Sequence, residues 1–172
     1  MKNKITGIQN SLPAEKSLQK RKTDLIMAKE MNNRQAYFNY YIEDKLIAGI
    51  VLLGTEVKSI REGKVSFNDA FCIFDRGELW LRGIYIAEYR LGTHNNHLCV
   101  HDRKLLLKKR ELKKWELKLK DKGYTIIPLR IFLNEKNLVK VEIGLAKGKK
   151  LHDKRDSIKQ KDAERELKRY LK

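Results

Sequence analysis

Apolar residues in this 172-residue chain crowd into two nearly electroneutral stretches, and that segregation fixes where a core can form. Residues 37–101 hold seven basic against eight acidic residues, and residues 123–143 three against two. The net charge of +17 lies elsewhere: residues 1–36 carry eight basic and three acidic residues, 102–122 ten and four, and 144–172 eleven and five. Segments this polar dock on a core or stay disordered. A neutral body with one basic helix and two basic tails is laid out to grip a phosphate backbone at several points.

The length suits one domain with extensions. No apolar run approaches the roughly 20 residues of a membrane span, and the first residues lack the apolar stretch of a secretory signal. A soluble, cytoplasmic protein with no membrane partner is expected. Cys72 and Cys99 have no CxxC spacing and read as free thiols in a reducing compartment.

Residues 1–32 show no sustained period and read as a flexible basic N-terminal extension. From Tyr37 the pattern is β, with residues 37–42 and 48–53 predicting two paired strands. Thr55 is placed to cap a short helix over 56–62, with Val57 and Ile60 on one face, Lys58 and Arg61 on another, and Gly63 as the stop. Residues 70–74 and 79–86 flank a turn at Asp75-Arg76-Gly77 and predict a hairpin. After a loop over 89–101, Asp102 and Gly123 bracket a predicted helix over 102–122. There Leu105, Leu112, Trp115 and Leu119 share a face among Lys109, Arg110, Lys113, Lys114, Lys118 and Lys120. Residues 125–133 and 138–143 predict a last hairpin, with Pro128 at an edge or a bulge.

Six short strands with a short helix and an inserted basic helix predict a mainly β fold, an OB-like six-stranded barrel spanning residues 33–147. An α+β sandwich is the structural alternative. Residues 148–172 form a basic C-terminal tail with good helix formers but a thin apolar stripe. Disorder when free, and a helix on an anionic surface, are expected.

Three blocks of sequence go further. Residues 49–64 (GIVLLGTEVKSIREGK), Arg103-Lys104-Leu105-Leu106-Leu107, and residues 140–150 (KVEIGLAKGKK) with His152-Asp153-Lys154-Arg155 closely resemble, in the same order, the SsrA-binding protein family of bacterial trans-translation. The resemblance implies an OB-fold body that binds the tRNA-like domain of transfer-messenger RNA (SsrA). It also implies a tail that folds in the empty mRNA channel of a stalled ribosome, with no cofactor and a monomer bound to one RNA. By the same resemblance, Asn33, Arg34, Glu56, Lys58, Arg61, Lys64, Arg103 and Lys104 fall in RNA-facing blocks. Lys149, Lys150, His152, Asp153, Lys154 and Arg155 fall where the tail reaches the decoding centre. The chain departs from the family pattern at Tyr37 and Phe38, where a basic residue and His are usual, so stacking replaces a hydrogen bond to RNA. It departs again at Leu98-Cys99-Val100-His101, where Asp-Pro and an Arg are common.

Other chemistry is weaker. The loop containing His94, His97, Cys99 and His101 has zinc-ligand residue types, which keeps a metal-dependent RNA-processing enzyme as the alternative from another class, but no second cluster completes a tetrahedral site. Glu56 beside Lys58 and Arg61 reads as an orienting carboxylate rather than a catalytic acid. There is no P-loop or nucleophile elbow, so a non-enzymatic adaptor is favoured, with a generic OB-fold ribosome factor as runner-up.

Overall fold

The computed structural model describes residues 30–92, 94–121, 123–150 and Arg169. Among these residues, nine strands and three helices follow in the order β1 (Met31–Asn32), α1 (Arg34–Asn39), β2 (Tyr40–Ile50), α2 (Gly54–Arg61), β3 (Val65–Ser66), β4 (Phe71–Asp75), β5 (Glu78–Arg82), β6 (Tyr85–Ile86), β7 (Arg103–Leu106), α3 (Lys109–Leu119), β8 (Tyr124–Leu133) and β9 (Val139–Gly148). Six strands close into an antiparallel ring, β8-β4-β5-β7-β2-β9, because β9 pairs with both β2 and β8. This is the mainly β, OB-like architecture expected, and it displaces the sandwich alternative. Closure gives every strand of the ring a neighbour on both sides. Its seams are uneven: β2 and β9 pair from Tyr40↔Gly148 to Gly49↔Lys140, whereas β4 meets β8 only at Cys72↔Ile126.

Leu79, Leu81, Ile84, Ile86, Ile126, Ile131, Ile143 and Leu145 are fully buried inside the ring and pack with Trp115 of α3. Each such burial is worth roughly 1.5–3 kcal/mol of apolar transfer. A second small cluster, Ala36, Ile127, Leu129 and Ala146 with Tyr40 and Ile42, fills the gap between α1 and the outer face of β8 and β9. These two strands are thus covered on both faces over 126–129 and 143–146. Strands buried twice lose their alternation, which explains why β9 runs to Gly148 although the alternating pattern predicts an end at Ile143. Pro128 sits at a register shift between β8 and β9, as a residue without a ladder donor requires.

Three expectations are corrected. Residues 37–42 and 48–53 are not two strands paired with each other. The first begins as α1, capped by the Asn33 side chain accepting from the Ala36 amide at 3.1 Å, and Tyr40–Ile50 is a single strand with an irregularity between Ile42 and Asp44. The charged Glu43-Asp44-Lys45, which resembles a turn in sequence, is this irregularity. Second, the long helix over 102–122 does not form. Arg103–Leu106 is a strand with Arg103 and Leu105 turned in, and the helix starts at Lys109, where Glu111 accepts from the Lys108 amide at 2.9 Å. Asp102 is not the helix cap, and its carboxylate pairs with Arg82 at 2.7 Å. Third, Tyr85–Ile86 does not continue β5: the chain bends at Gly83 (φ 71) and β6 pairs with β3. A side chain at Gly83 would collide with the Asp69 carbonyl, so the bend depends on glycine.

Candidate nucleic-acid interface

The short helix α2 organises the region, and its first turn explains why. Glu56 is fully buried at its third position and accepts from the Leu53 amide at 2.7 Å, satisfying an N-terminal donor that would otherwise be unpaired. Arg103 reaches the same carboxylate from β7, with Nε at 2.7 Å and Nη2 at 2.7 Å. Its remaining donors go to the carbonyls of Ile84 (3.1 Å), His101 (3.0 Å) and Cys99 (3.3 Å). The half-buried His101 adds a 2.9 Å contact from Nε2 to Glu56. Burial by itself would raise the Glu56 pKa, but the Leu53 amide, Arg103 and His101 outweigh it and hold the group below its ordinary value. The result is a closed charge cluster joining α2, β7 and the preceding loop.

That loop is held from both ends. The Asn96 carboxamide bonds the Tyr89 amide at 3.2 Å and its carbonyl at 2.9 Å. His97 is buried between Thr55 Oγ1 (2.9 Å) and the Ile86 carbonyl (3.2 Å). His97 and His101 are therefore engaged in positioning the loop, and among the described residues no group of three or more His, Cys, Asp or Glu side chains is placed to hold a metal ion.

Above this floor, Lys58 and Arg61 project from the exposed face of α2. The Lys58 ammonium stands 4.9 Å from the centre of the Tyr89 ring, a cation–π pair at the surface. Lys64 is exposed and paired with Glu62 at 2.6 Å, and Lys104 is paired with Glu78. On the other side of the ring a second set gathers around the end of β9. Lys45 lies 5.3 Å from the Tyr37 ring and Lys149 4.9 Å from the Tyr41 ring, and Lys147 lies 6.0 Å from Tyr124. Lys149 also donates to the Tyr37 carbonyl at 3.2 Å, while its own amide donates to the Asn39 carbonyl at 2.9 Å, which fixes where the chain leaves the ring. Pairs of this kind offer a phosphate-binding charge and a base-stacking face in one place.

The sequence-predicted residues thus divide. Arg34, Lys58, Arg61 and Lys64 are exposed, and Lys104 and Lys149 are half-buried. Asn33, Glu56 and Arg103 are turned inward, Asn33 donating to the Pro128 carbonyl at 2.9 Å. The side chains of these three are bonded within the body. Lys150 is exposed, while His152, Asp153, Lys154 and Arg155 lie outside the described residues, as does the extension before residue 30. Of the basic side chains on α3, Lys114 and Lys118 face Asp44 at 3.0 and 3.6 Å and tie the helix to β2. The hydrogen bond from Lys114 is the main cause of the lowered Asp44 pKa. Sequence reasoning missed Tyr41, Tyr89 and Tyr124. Tyr41 and Tyr124 lie on β2 and β8, and their lysine partners come from β9, so no local sequence signal marks these pairs.

No helix among the described residues is long and apolar enough to cross a membrane. The family model described as SmpB protein matches residues 30–172. An SsrA-binding protein of Parabacteroides distasonis is 53% identical over 143 residues, covering 83% of this chain and 94% of that one. One of Bacteroides thetaiotaomicron is 53% identical over 142 residues, covering 83% and 95%. A solved structure described as "tmRNA-SmpB: a journey to the center of the bacterial ribosome" superposes with a TM-score of 0.62 at 47% identity, over 71% of this chain and 85% of that chain. The same fold, a match that takes in nearly the whole described body, and identity near one half over that length place the chain in the SmpB family of SsrA-binding proteins.

Proposed function

We propose that this protein is a non-enzymatic, cytoplasmic RNA-binding adaptor. It binds the tRNA-like domain of transfer-messenger RNA and carries it to stalled ribosomes, where residues 148–172 enter the empty mRNA channel. The ring supplies a rigid body, and the exposed Lys58, Arg61, Arg34 and the lysine–tyrosine pairs supply contacts to phosphate and stacked bases. The observation that carries the reading is the combination of family membership with cation–aromatic pairs displayed on an otherwise neutral ring. Recognition is then mainly of RNA shape, through contacts divided between α2 and the end of β9.

The test is competition between the cognate tRNA-like domain and ordinary tRNA for the full-length protein across a salt series. A preference that survives at high salt, beyond the counterion-release slope common to both RNAs, is expected. Equal and equally salt-sensitive affinities would reduce the protein to a generic basic RNA binder. Truncation after Lys147 is expected to leave binding of the tRNA-like domain nearly intact and to abolish tagging on stalled ribosomes. Equal tagging by truncated and full-length protein would refute the tail assignment.

A further inference from the structure

A trough runs beneath α1, between that helix and the loop that leads into β4. It consists of two adjoining hollows of about 480 and 270 Å3 that share Asn33, Gln35 and Phe67. The larger is bordered by Gln35 and Asn39 of α1 and, opposite, by Phe67, Asp69 and Phe71. The smaller reaches Arg34. Asn33 is committed to the Pro128 carbonyl and the Ala36 amide. The carboxamides of Gln35 and Asn39 and the carboxylate of Asp69, in contrast, make no hydrogen bond among the described residues.

The Asp69 backbone is left-handed (φ 59) and is held there from two sides. Ala70 donates to the Phe67 carbonyl at 3.0 Å, and the Asp69 carbonyl lies against Gly83 so closely that no side chain fits between them. The backbone that carries the acceptor is therefore held in place, while the exposed carboxylate itself is left unbonded. Phe71 stands 43% exposed at the rim, although it belongs to a ring strand.

Unpaired carboxamides facing a carboxylate with an exposed aromatic ring beside it are the composition that reads the edge of an unstacked base. A carboxylate only accepts, so it favours a base presenting two adjacent N–H donors on its Watson–Crick edge. Among the four RNA bases only guanine does so. We propose that this trough takes one unstacked guanine of the RNA partner. Asp69 accepts from its N1–H and its amino group, the exposed Phe71 stacks on one of its faces, and Arg34 meets the phosphate at the open end. The inference rests on the RNA-adaptor reading and adds a base-specific subsite to it.

The experiment uses the full chain and short single-stranded uridine oligomers carrying one central guanine, adenine, cytosine or inosine. Guanine is expected to bind about tenfold more tightly than adenine, and inosine, which lacks the amino group, to fall between them. Asp69→Asn is expected to abolish the preference with an unchanged unfolding midpoint, because Asn also accepts the left-handed backbone. Equal affinities for the four oligomers, or a preference that persists in the variant, would overturn the proposal. So would guanosine monophosphate binding as tightly as the guanine oligomer, which would make the ligand a free nucleotide. The cognate tRNA-like domain is titrated in parallel: if it binds in preference to tRNA while the oligomers show no guanine preference, the trough proposal fails and the adaptor reading stands. If it shows no preference either, the adaptor reading fails with it.

Discussion

Arg103 and Lys58 are both basic, both belong to the sequence blocks that point to RNA, and both lie close to the same helix, yet the structure uses them in opposite ways. Arg103 is buried beneath α2 with its guanidinium donors bonded to Glu56 and three carbonyls. Lys58 is on the upper face of α2, exposed over the Tyr89 ring. A basic residue in a nucleic-acid-binding motif can thus be part of the floor or part of the contact surface. The two roles differ in what fails when the residue is lost. A floor residue costs stability, and RNA binding falls only because the surface is no longer held; a rim residue costs affinity alone.

The sharpest way to break this contrast is Arg103→Met, which keeps much of the volume and removes every donor. It leaves Glu56 buried without its main counter-charge and takes a donor from the carbonyls of Ile84, His101 and Cys99, of which Cys99 keeps the Ile86 amide. Losing one member of a buried pair costs about 3–5 kcal/mol, so urea unfolding should show a loss of that size. An affinity loss at full stability would instead place Arg103 on the RNA. Combining Arg103→Met with Glu56→Gln should cost less than the two single changes added together, because neither change then strands a charge.

Glu56→Gln by itself is expected to cost about 1–3 kcal/mol near neutral pH, since Arg103 loses a charged acceptor while the amide oxygen still meets the Leu53 amide. Its pH signature is distinctive. The Glu56 pKa is lowered in the folded protein, so its contribution is fully present above the unfolded value near 4.3 and is lost as pH falls through the lower folded value. The unfolding free energy of the wild type should therefore fall more steeply below about pH 4.5 than that of the variant. Parallel curves would mean that the carboxylate gains nothing from its neighbours.

The division between floor and rim was only partly legible in the sequence. The ring itself was, because β4, β5, β8 and most of β9 carry strand patterning separated by turn residues. The region 102–122 was misread because its Leu spacing satisfies a helical stripe, and only pairing with β5 and β2 turns Arg103–Leu106 into a strand. Once that segment is extended, side chains two apart share a face, and Arg103 points inward together with Leu105. Nothing local predicts this, since a buried arginine depends on a carboxylate 47 residues away in sequence. The aromatic partners of the lysines were missed for a related reason: Lys149 meets Tyr41, and Lys147 meets Tyr124, only because β9 lies between β2 and β8.

The smallest expected effect comes from the rim. Lys58→Ala removes an exposed ammonium that contacts an aromatic face and no carboxylate among the described residues, so the unfolding free energy should shift by less than about 0.5 kcal/mol. Binding of the tRNA-like domain should nevertheless weaken, and the slope of log affinity against log salt should become shallower by about one if Lys58 neutralises one phosphate. Tyr89→Leu separates the two halves of the pair: it keeps the charge, so the salt slope should hold while affinity falls through lost stacking. If both variants bind like the wild type at every salt concentration, Lys58 is only a solvated cation, and the RNA-facing rim must be drawn around Tyr37, Tyr41 and Lys149 instead. Because those residues sit where the chain leaves the ring, that result would move the contact surface from α2 to the root of the tail.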